Sequence, residues 1–315
     1  MEYRAVGRWG LRVSTIGFGS WLTVGDAVDE EGTAQLVRVA LEHGVNLFDT
    51  ADVYARGRAE EVLGKVLAGA PRRDLVLATK CYFPVGEGPN DRGLSRKHID
   101  ESCHLSLRRL RTEYIDLYQC HRYDDGTPLE ETVRALDDLV RQGKVLYWGV
   151  SMWSARQIDD AMALCARSGA TPPISNQPRY NLLAREIEAE VLPACERHGL
   201  GVLPYSPLAQ GVLTGKYTAQ SRPEGSRGTD PRRGQFMQEF LAAERLERVA
   251  QMKRLAEEAG MTPAQLALAW CLSRSAVSSV LVGTTRVAQL EENLDAAGRK
   301  LPDDLLRRLD DLFPG

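Results

Sequence analysis

The chain reads as an α/β protein, a (β/α)8 TIM barrel with an N-terminal β-hairpin, on three observations. Eight short β-rich runs recur along 315 residues, helical patterns fill the spaces between them, and the alternation persists from one end to the other. Parallel strands need crossover helices, and eight βα units let the last strand pair with the first. One closed core and a single domain over residues 1–315 are therefore expected.

The first residues, Tyr3–Val6 and Leu11–Val13 around Gly7–Gly10, look like a two-stranded hairpin able to plug the bottom of the barrel. The predicted barrel strands follow as Thr15–Gly19, Val45–Asp49, Leu75–Lys80, Ile115–His121, Val145–Ser151, Ile174–Gln177, Gly201–Ser206 and Ser279–Gly283. Between them, Glu31–His43 carries an apolar stripe of Ala34, Leu36, Val37, Val39, Ala40 and Leu41, and Arg96–Arg111 begins after the N-cap residue Ser95. Gly44 and Gly199 fall just past helix ends, where a left-handed residue is expected. Two connections are long and polar: Tyr82–Leu94 after the third strand, and Leu208–Gly234 after the seventh, with its Gly/Pro/Arg stretch Ser221–Arg233. Long βα loops are where barrels grip ligands. A doubly wound sheet is the competing fold, but Gly17-Phe18-Gly19 lacks the third glycine of a dinucleotide fingerprint and leads into no matching helix.

With 40 basic and 43 acidic residues the net charge is −3, spread along the chain, so there is no broad electrostatic footprint for nucleic acid or an anionic membrane. The six cysteines stand far apart without a C-x-x-C pair, as reduced core residues of a cytosolic protein do. Met1–Gly10 lacks the apolar centre of a signal peptide, and the longest apolar run, Leu266–Leu272, is far short of a membrane span. A cytoplasmic location and a small-molecule partner are expected. Oligomeric state stays open, a homo-oligomer included.

Four titratable groups fall at or just beyond the C-terminal ends of predicted strands, the face on which barrel active sites are built. Asp49 ends the second strand, Tyr54 follows in its loop, Lys80 ends the third and His121 the fourth. Each alone also fits a rim residue satisfying backbone groups. Together they form a set suited to carbonyl reduction, which needs a proton for the developing alkoxide while hydride reaches carbon. A phenol has an ordinary pKa of about 10, and a nearby lysine cation is expected to lower it. Asp49 would keep Lys80 charged, and His121 would orient the carbonyl oxygen. A lysine at a strand end also suits a Schiff-base aldolase, the alternative chemistry.

These residues carry a resemblance. Asn46-Leu47-Phe48-Asp49-Thr50-Ala51-Asp52-Val53-Tyr54, Thr79-Lys80, Tyr147-Trp148-Gly149-Val150-Ser151, Tyr205-Ser206-Pro207-Leu208-Ala209 and Leu290-Glu291-Glu292-Asn293-Leu294 resemble the aldo-keto reductase superfamily along the whole chain. Arg92–His98, Thr171–Ile174 and Ala264–Leu272 running into Val277–Val282 are similar to the branch that holds potassium-channel β subunits and their bacterial enzyme relatives. The resemblance implies an NADP-dependent oxidoreductase that uses NADPH/NADP+ to reduce an aldehyde or ketone, with Tyr54 as proton donor. It also admits a nucleotide-sugar keto or enoyl reductase of secondary metabolism, or a cofactor-sensing subunit. His121 matches the histidine of the reductases, where mammalian channel subunits carry asparagine.

The same resemblance implies that Ser151 and Gln177 hold the nicotinamide carboxamide and that Tyr205 stacks on its ring, with Trp21, Asp49, Ser206, Pro207 and Leu208 among the cofactor contacts. Met152 departs from the asparagine of many members. Gly283, Thr284, Thr285, Gln289, Glu292 and Asn293 match the adenosine end, and Lys216 and Arg227 are placed to meet a 2′-phosphate. Gly283 replaces a phosphate-binding lysine of many members, so the preference for NADPH rests on the loop. Trp21, Tyr54, Tyr82 and Phe83 are expected to wall the substrate pocket, with Trp148 or Trp153 nearby. The physiological substrate is not identified.

Overall fold

A computed structural model describes residues 1–218 and 220–314. The hairpin pairs β1 (Tyr3–Ala5) with β2 (Arg12–Ser14) in antiparallel register, Arg4 opposite Val13. The eight barrel strands are β3 (Ile16–Gly19), β4 (Leu47–Asp49), β5 (Val76–Cys81), β6 (Ile115–Cys120), β7 (Val145–Val150), β8 (Ser175–Asn176), β9 (Gly201–Val202) and β10 (Val280–Val282), all parallel, in the order β10-β3-β4-β5-β6-β7-β8-β9. Closure between β9 and β10 runs through bridges Val202–Val277 and Tyr205–Leu281, with Ser278 N–H donating to Val202 O and Leu281 N–H to Pro204 O. The expected (β/α)8 barrel with its N-terminal hairpin is thus the observed fold.

The helices are α1 (Glu30–Glu42), α2 (Arg58–Val66), α3 (Arg96–Leu110), α4 (Leu129–Arg141), α5 (Ala155–Ser168), α6 (Val191–His198), α7 (Ala243–Glu258), α8 (Pro263–Leu272), α9 (Val287–Leu294) and α10 (Asp303–Leu312). Local chemistry starts and stops them. Asp29 accepts from the Gly32 amide at the head of α1, and Ser95 accepts from the His98 amide at the head of α3. Gly199 ends α6 at φ 67°, and Gly44 follows α1 at φ 80°, both in the left-handed region. The apolar run Leu266–Leu272 is the buried body of α8, capped by the reciprocal Thr262–Gln265 pair. Among the described residues no helix is long and apolar enough to cross a membrane.

Strand alternation sorts side chains between two cores. Outward-facing Phe48, Tyr118, Cys120, Trp148 and Val150 pack under the helices. Inward-facing Leu47, Val76, Ala78, Leu117, Leu203 and Leu281 fill the barrel, and Val6 and Val13 of the hairpin segment close this cluster. One residue pair further along the same strands, the apolar filling gives way to Asp49, Lys80 and Gln119, which carry the site.

Candidate active site

Each site residue is held by an extension of the barrel ladder beyond the strand ends. Thr50 N–H donates to Ala78 O, Asp52 N–H to Lys80 O, His121 N–H to Cys81 O, Ser151 N–H to Cys120 O and Gln177 N–H to Val150 O. Tyr54 stands on a tight turn whose next two residues, Ala55 and Arg56, are left-handed at φ 48° and 57°. Non-glycine residues adopt that conformation only when their surroundings hold it.

Asp49 lies at the centre. Lys80, with no exposed side-chain surface, donates from Nζ to Asp49 Oδ1 at 2.6 Å and to Thr50 O at 2.7 Å. Gln177 donates from Nε2 to Asp49 Oδ2 at 2.9 Å, and Gln119 reaches the same oxygen at 3.3 Å. Above this buried pair the Tyr54 ring lies 5.1 Å from Lys80 Nζ, and its hydroxyl meets His121 Nε2 at 3.4 Å. His121 Nδ1 is buried without a partner. An unpaired N–H is the costlier group to bury, so we place the imidazole proton on Nε2, facing Tyr54. The Ser151 hydroxyl donates to Gln177 O at 2.8 Å.

Asp49, Tyr54, His121, Ser151 and Gln177 form the floor of a cleft of about 1100 Å³ that continues across the top of the barrel. Trp21, Tyr205, Ser206, Pro207 and Leu208 line its middle, and Lys216, Arg227, Gly283, Thr284, Thr285, Gln289, Glu292 and Asn293 its far end. Arg227 is hydrogen bonded to Gln210 Oε1, without a carboxylate partner among the described residues. A Cβ on Gly283 would stand 3.1 Å from Gly19 O, so this position backs tightly onto the first barrel strand. Trp21 packs edge-on against Tyr205 at 6.3 Å and Phe236 at 5.1 Å.

The match to the Aldo/keto reductase family spans residues 15–313. The chain belongs to this family. It is 45% identical over 299 residues to a probable voltage-gated potassium channel subunit beta of Arabidopsis thaliana, covering 94% of this chain and 91% of the relative. A protein of the same name from Oryza sativa subsp. japonica is 44% identical with the same coverage. A putative voltage-gated potassium channel subunit beta of Schizosaccharomyces pombe is 40% identical over 322 residues, covering 99% and 93%. Family membership makes the chain an oxidoreductase of the aldo/keto reductase type.

In this aldo/keto reductase the electrostatics differ from the sequence expectation at one point. The Tyr54 phenol is held well above its ordinary range, first by burial of its hydroxyl and then by the Asp49 carboxylate. The expected lowering by Lys80 is corrected here, because Asp49 takes up that cation's charge at contact distance. Burial lowers Lys80 while Asp49 opposes it. Burial, then Lys80 and Arg122, push His121 well below the usual imidazole value and keep it neutral.

The expectation that Trp148 or Trp153 stands near the pocket, and that Tyr82 walls it, is also corrected. Trp148 faces the helices and donates from Nε1 to Thr171 O at 2.7 Å, and Trp153 is buried against Tyr123, so neither reaches the cleft. Phe83 lines it, whereas Tyr82 packs edge-on behind Phe83 at 5.2 Å. Sequence reasoning passed over Arg122, Gln210, Ser226, Arg233, Phe236 and Arg286, which line the cleft. Arg122 was within reach, being the next residue after a strand-end histidine. Phe236 lies past the long loop in a segment with no strand-end signal.

Proposed function

We propose that this chain is an NADPH-dependent reductase of small aldehydes and ketones, with Tyr54 as the proton donor. The observation that carries this reading is the Tyr54–His121 pair set above the buried Asp49–Lys80 ion pair, at one end of a cleft with room for a dinucleotide. When bound, the dinucleotide supplies hydride to the carbonyl carbon. His121 donates from Nε2 to the carbonyl oxygen and holds it beside Tyr54, which transfers its phenolic proton as negative charge builds there. Lys80 and Asp49 keep the floor rigid and Tyr54 in place. Ser151 and Gln177 hold the carboxamide, Tyr205 covers the ring, and Trp21, Ser206, Pro207 and Leu208 line the path between. Gly283, Thr285, Gln289, Glu292 and Asn293 take the adenosine end. Lys216 and Arg227 meet the 2′-phosphate, which selects NADPH over NADH.

The reading treats residues 1–315 as one barrel domain working in the cytoplasm. A Schiff base on Lys80 loses support, because its nitrogen is fully buried, held by Asp49 and the Thr50 carbonyl, and is not part of the cleft lining. The names of the relatives support a second reading, in which the barrel holds cofactor as a channel subunit. Multiple-turnover NADPH oxidation with a panel of simple aldehydes separates the two. Tyr54→Phe is expected to fold, bind cofactor and lose about 10²- to 10⁴-fold in turnover. Turnover close to the parent's would assign the proton to another residue, and no oxidation with any carbonyl would overturn the reductase.

A further inference from the structure

Arg122 follows His121 at the C-terminal end of β6 and lines the cleft, half-buried. Its Nη1 donates to the neighbouring His121 carbonyl at 2.5 Å, and its guanidinium carbon lies 5.3 Å from the Phe83 ring centroid. Phe83 in turn packs edge-on against the His121 imidazole at 4.8 Å. The cation is thus one aromatic ring away from the Tyr54–His121 pair. No carboxylate pairs with it among the described residues, whereas Arg233 is paired with Asp230, Arg179 with Glu239 and Arg232 with Asp26.

The charges around it leave the cation uncompensated. Asp49 is neutralised by Lys80, and His121 is held neutral. The positive charge of Arg122 is felt by Tyr54, His121, Lys80 and Tyr205, the groups that surround the reacting end of the cleft. A fixed guanidinium with free N–H groups, set on an aromatic face in a partly enclosed cleft, is a ready receptor for a planar or tetrahedral anion.

We propose that Arg122 forms an anion subsite, so that the preferred substrates are small carbonyl compounds carrying a carboxylate or a phosphate ester a few bonds from the carbonyl carbon. This rests on the reductase reading, which it narrows to a substrate class. Such a substrate places its carbonyl oxygen at Tyr54 and His121 and its anion on Arg122, and the two anchors fix the carbonyl carbon between them.

Matched substrate pairs test this in the full chain with NADPH: succinic semialdehyde against butanal, 4-carboxybenzaldehyde against benzaldehyde, and glyceraldehyde 3-phosphate against glyceraldehyde. In the parent, kcat/KM for the anionic member is expected to exceed that for the neutral one by about 10- to 100-fold, through KM. Arg122→Gln should bring that ratio close to one, and Arg122→Lys should retain part of it. The carboxylate and phosphate arms show which anion the subsite takes. A parent ratio near one in every arm overturns the proposal. So does an equal loss for both members of each pair in Arg122→Gln, which would make Arg122 a residue that tunes Tyr54. If NADPH is oxidised with none of them, the reductase reading falls and the subsite is still tested. Calorimetric titration of parent and Arg122→Gln with 4-carboxybenzaldehyde and benzaldehyde must then show tighter binding of the carboxylate in the parent alone, and equal binding of the two overturns it.

Discussion

Lys80 and Asp49 illustrate how a buried ion pair constrains single-residue change. The lysine nitrogen has the Asp49 carboxylate and the Thr50 carbonyl as its partners, with no solvent-exposed surface. Removing one member of such a pair leaves a buried charge uncompensated, at about 3–5 kcal/mol. Lys80→Met is expected to lose about that much stability in denaturant titration, and Asp49→Asn combined with Lys80→Met to recover part of it. A single variant as stable as the parent would mean that Asp49 finds another partner. Asp52 makes the complementary case. Burial, then the Glu60 carboxylate, raise its pKa well above the ordinary value, against Arg109. Neither of its oxygens has a partner of hydrogen-bonding geometry, although Ser102 and the Val53 amide lie close enough to pull the pKa down. A carboxyl whose folded pKa exceeds its unfolded one binds its proton more tightly when folded. Its contribution is full below the unfolded value of about 4 and is lost as pH rises through the folded value. Asp52→Asn should therefore raise Tm relative to the parent at about pH 8, by about 2–4 °C for each kcal/mol relieved, and do little below about pH 4. Equal shifts at both pH values would point to packing instead.

Among the elements, the connection from Leu208 to Gly234 carries the most functional consequence. Its length and its Gly, Pro and Arg content mark it as a gripping loop from sequence alone. The short helical turns inside it, Ala209–Thr214 and Arg227–Thr229, are not legible in that way. The first depends on left-handed Ala209 and Gln210 at φ 46° and 59°, a conformation that side chains with a Cβ avoid in isolation. The loop is pinned across the cleft by Arg232 on Asp26 at 2.9 Å and leads into Phe236 on Trp21. The Arg232–Asp26 pair is exposed on the arginine side and contributes little by itself. Arg227 is different, since burial lowers its pKa and its side chain is bonded to the neutral Gln210. Lys216→Ala with Arg227→Ala is expected to weaken NADPH by about 10²-fold and NADH far less, because the 2′-phosphate is the only group that differs. Fluorescence titration with both cofactors measures this. Equal weakening would reduce the two side chains to supports of the loop.

Across the whole molecule, the eight strands were legible because apolar runs buried on both faces recur at regular spacing, and the Asp49, Tyr54, Lys80 and His121 set because strand ends in a barrel converge. What escaped depends on direction rather than position. Trp148 lies on the strand that leads into Ser151, yet alternation sends its ring outward to the helices, and β8 covers only Ser175–Asn176 of the expected Ile174–Gln177. The two ends of the barrel also divide their work. Val6 and Val13, both fully buried, seal the apolar filling of Leu47, Val76, Leu117 and Leu281 at the hairpin end, while Asp49, Lys80 and Gln119 occupy the opposite end of the same strands. Conserving the lower layer is then a matter of stability, and the upper layer of chemistry. Val13→Ala removes two methyl groups from a closed cluster and should cost about 2 kcal/mol in denaturant unfolding. Because Val13 lies at the hairpin end of that cluster, opposite Asp49 and Lys80, kcat and KM of the folded fraction should match the parent's. Kinetic constants that fall in step with stability would show that the hairpin end and the catalytic end move as one unit.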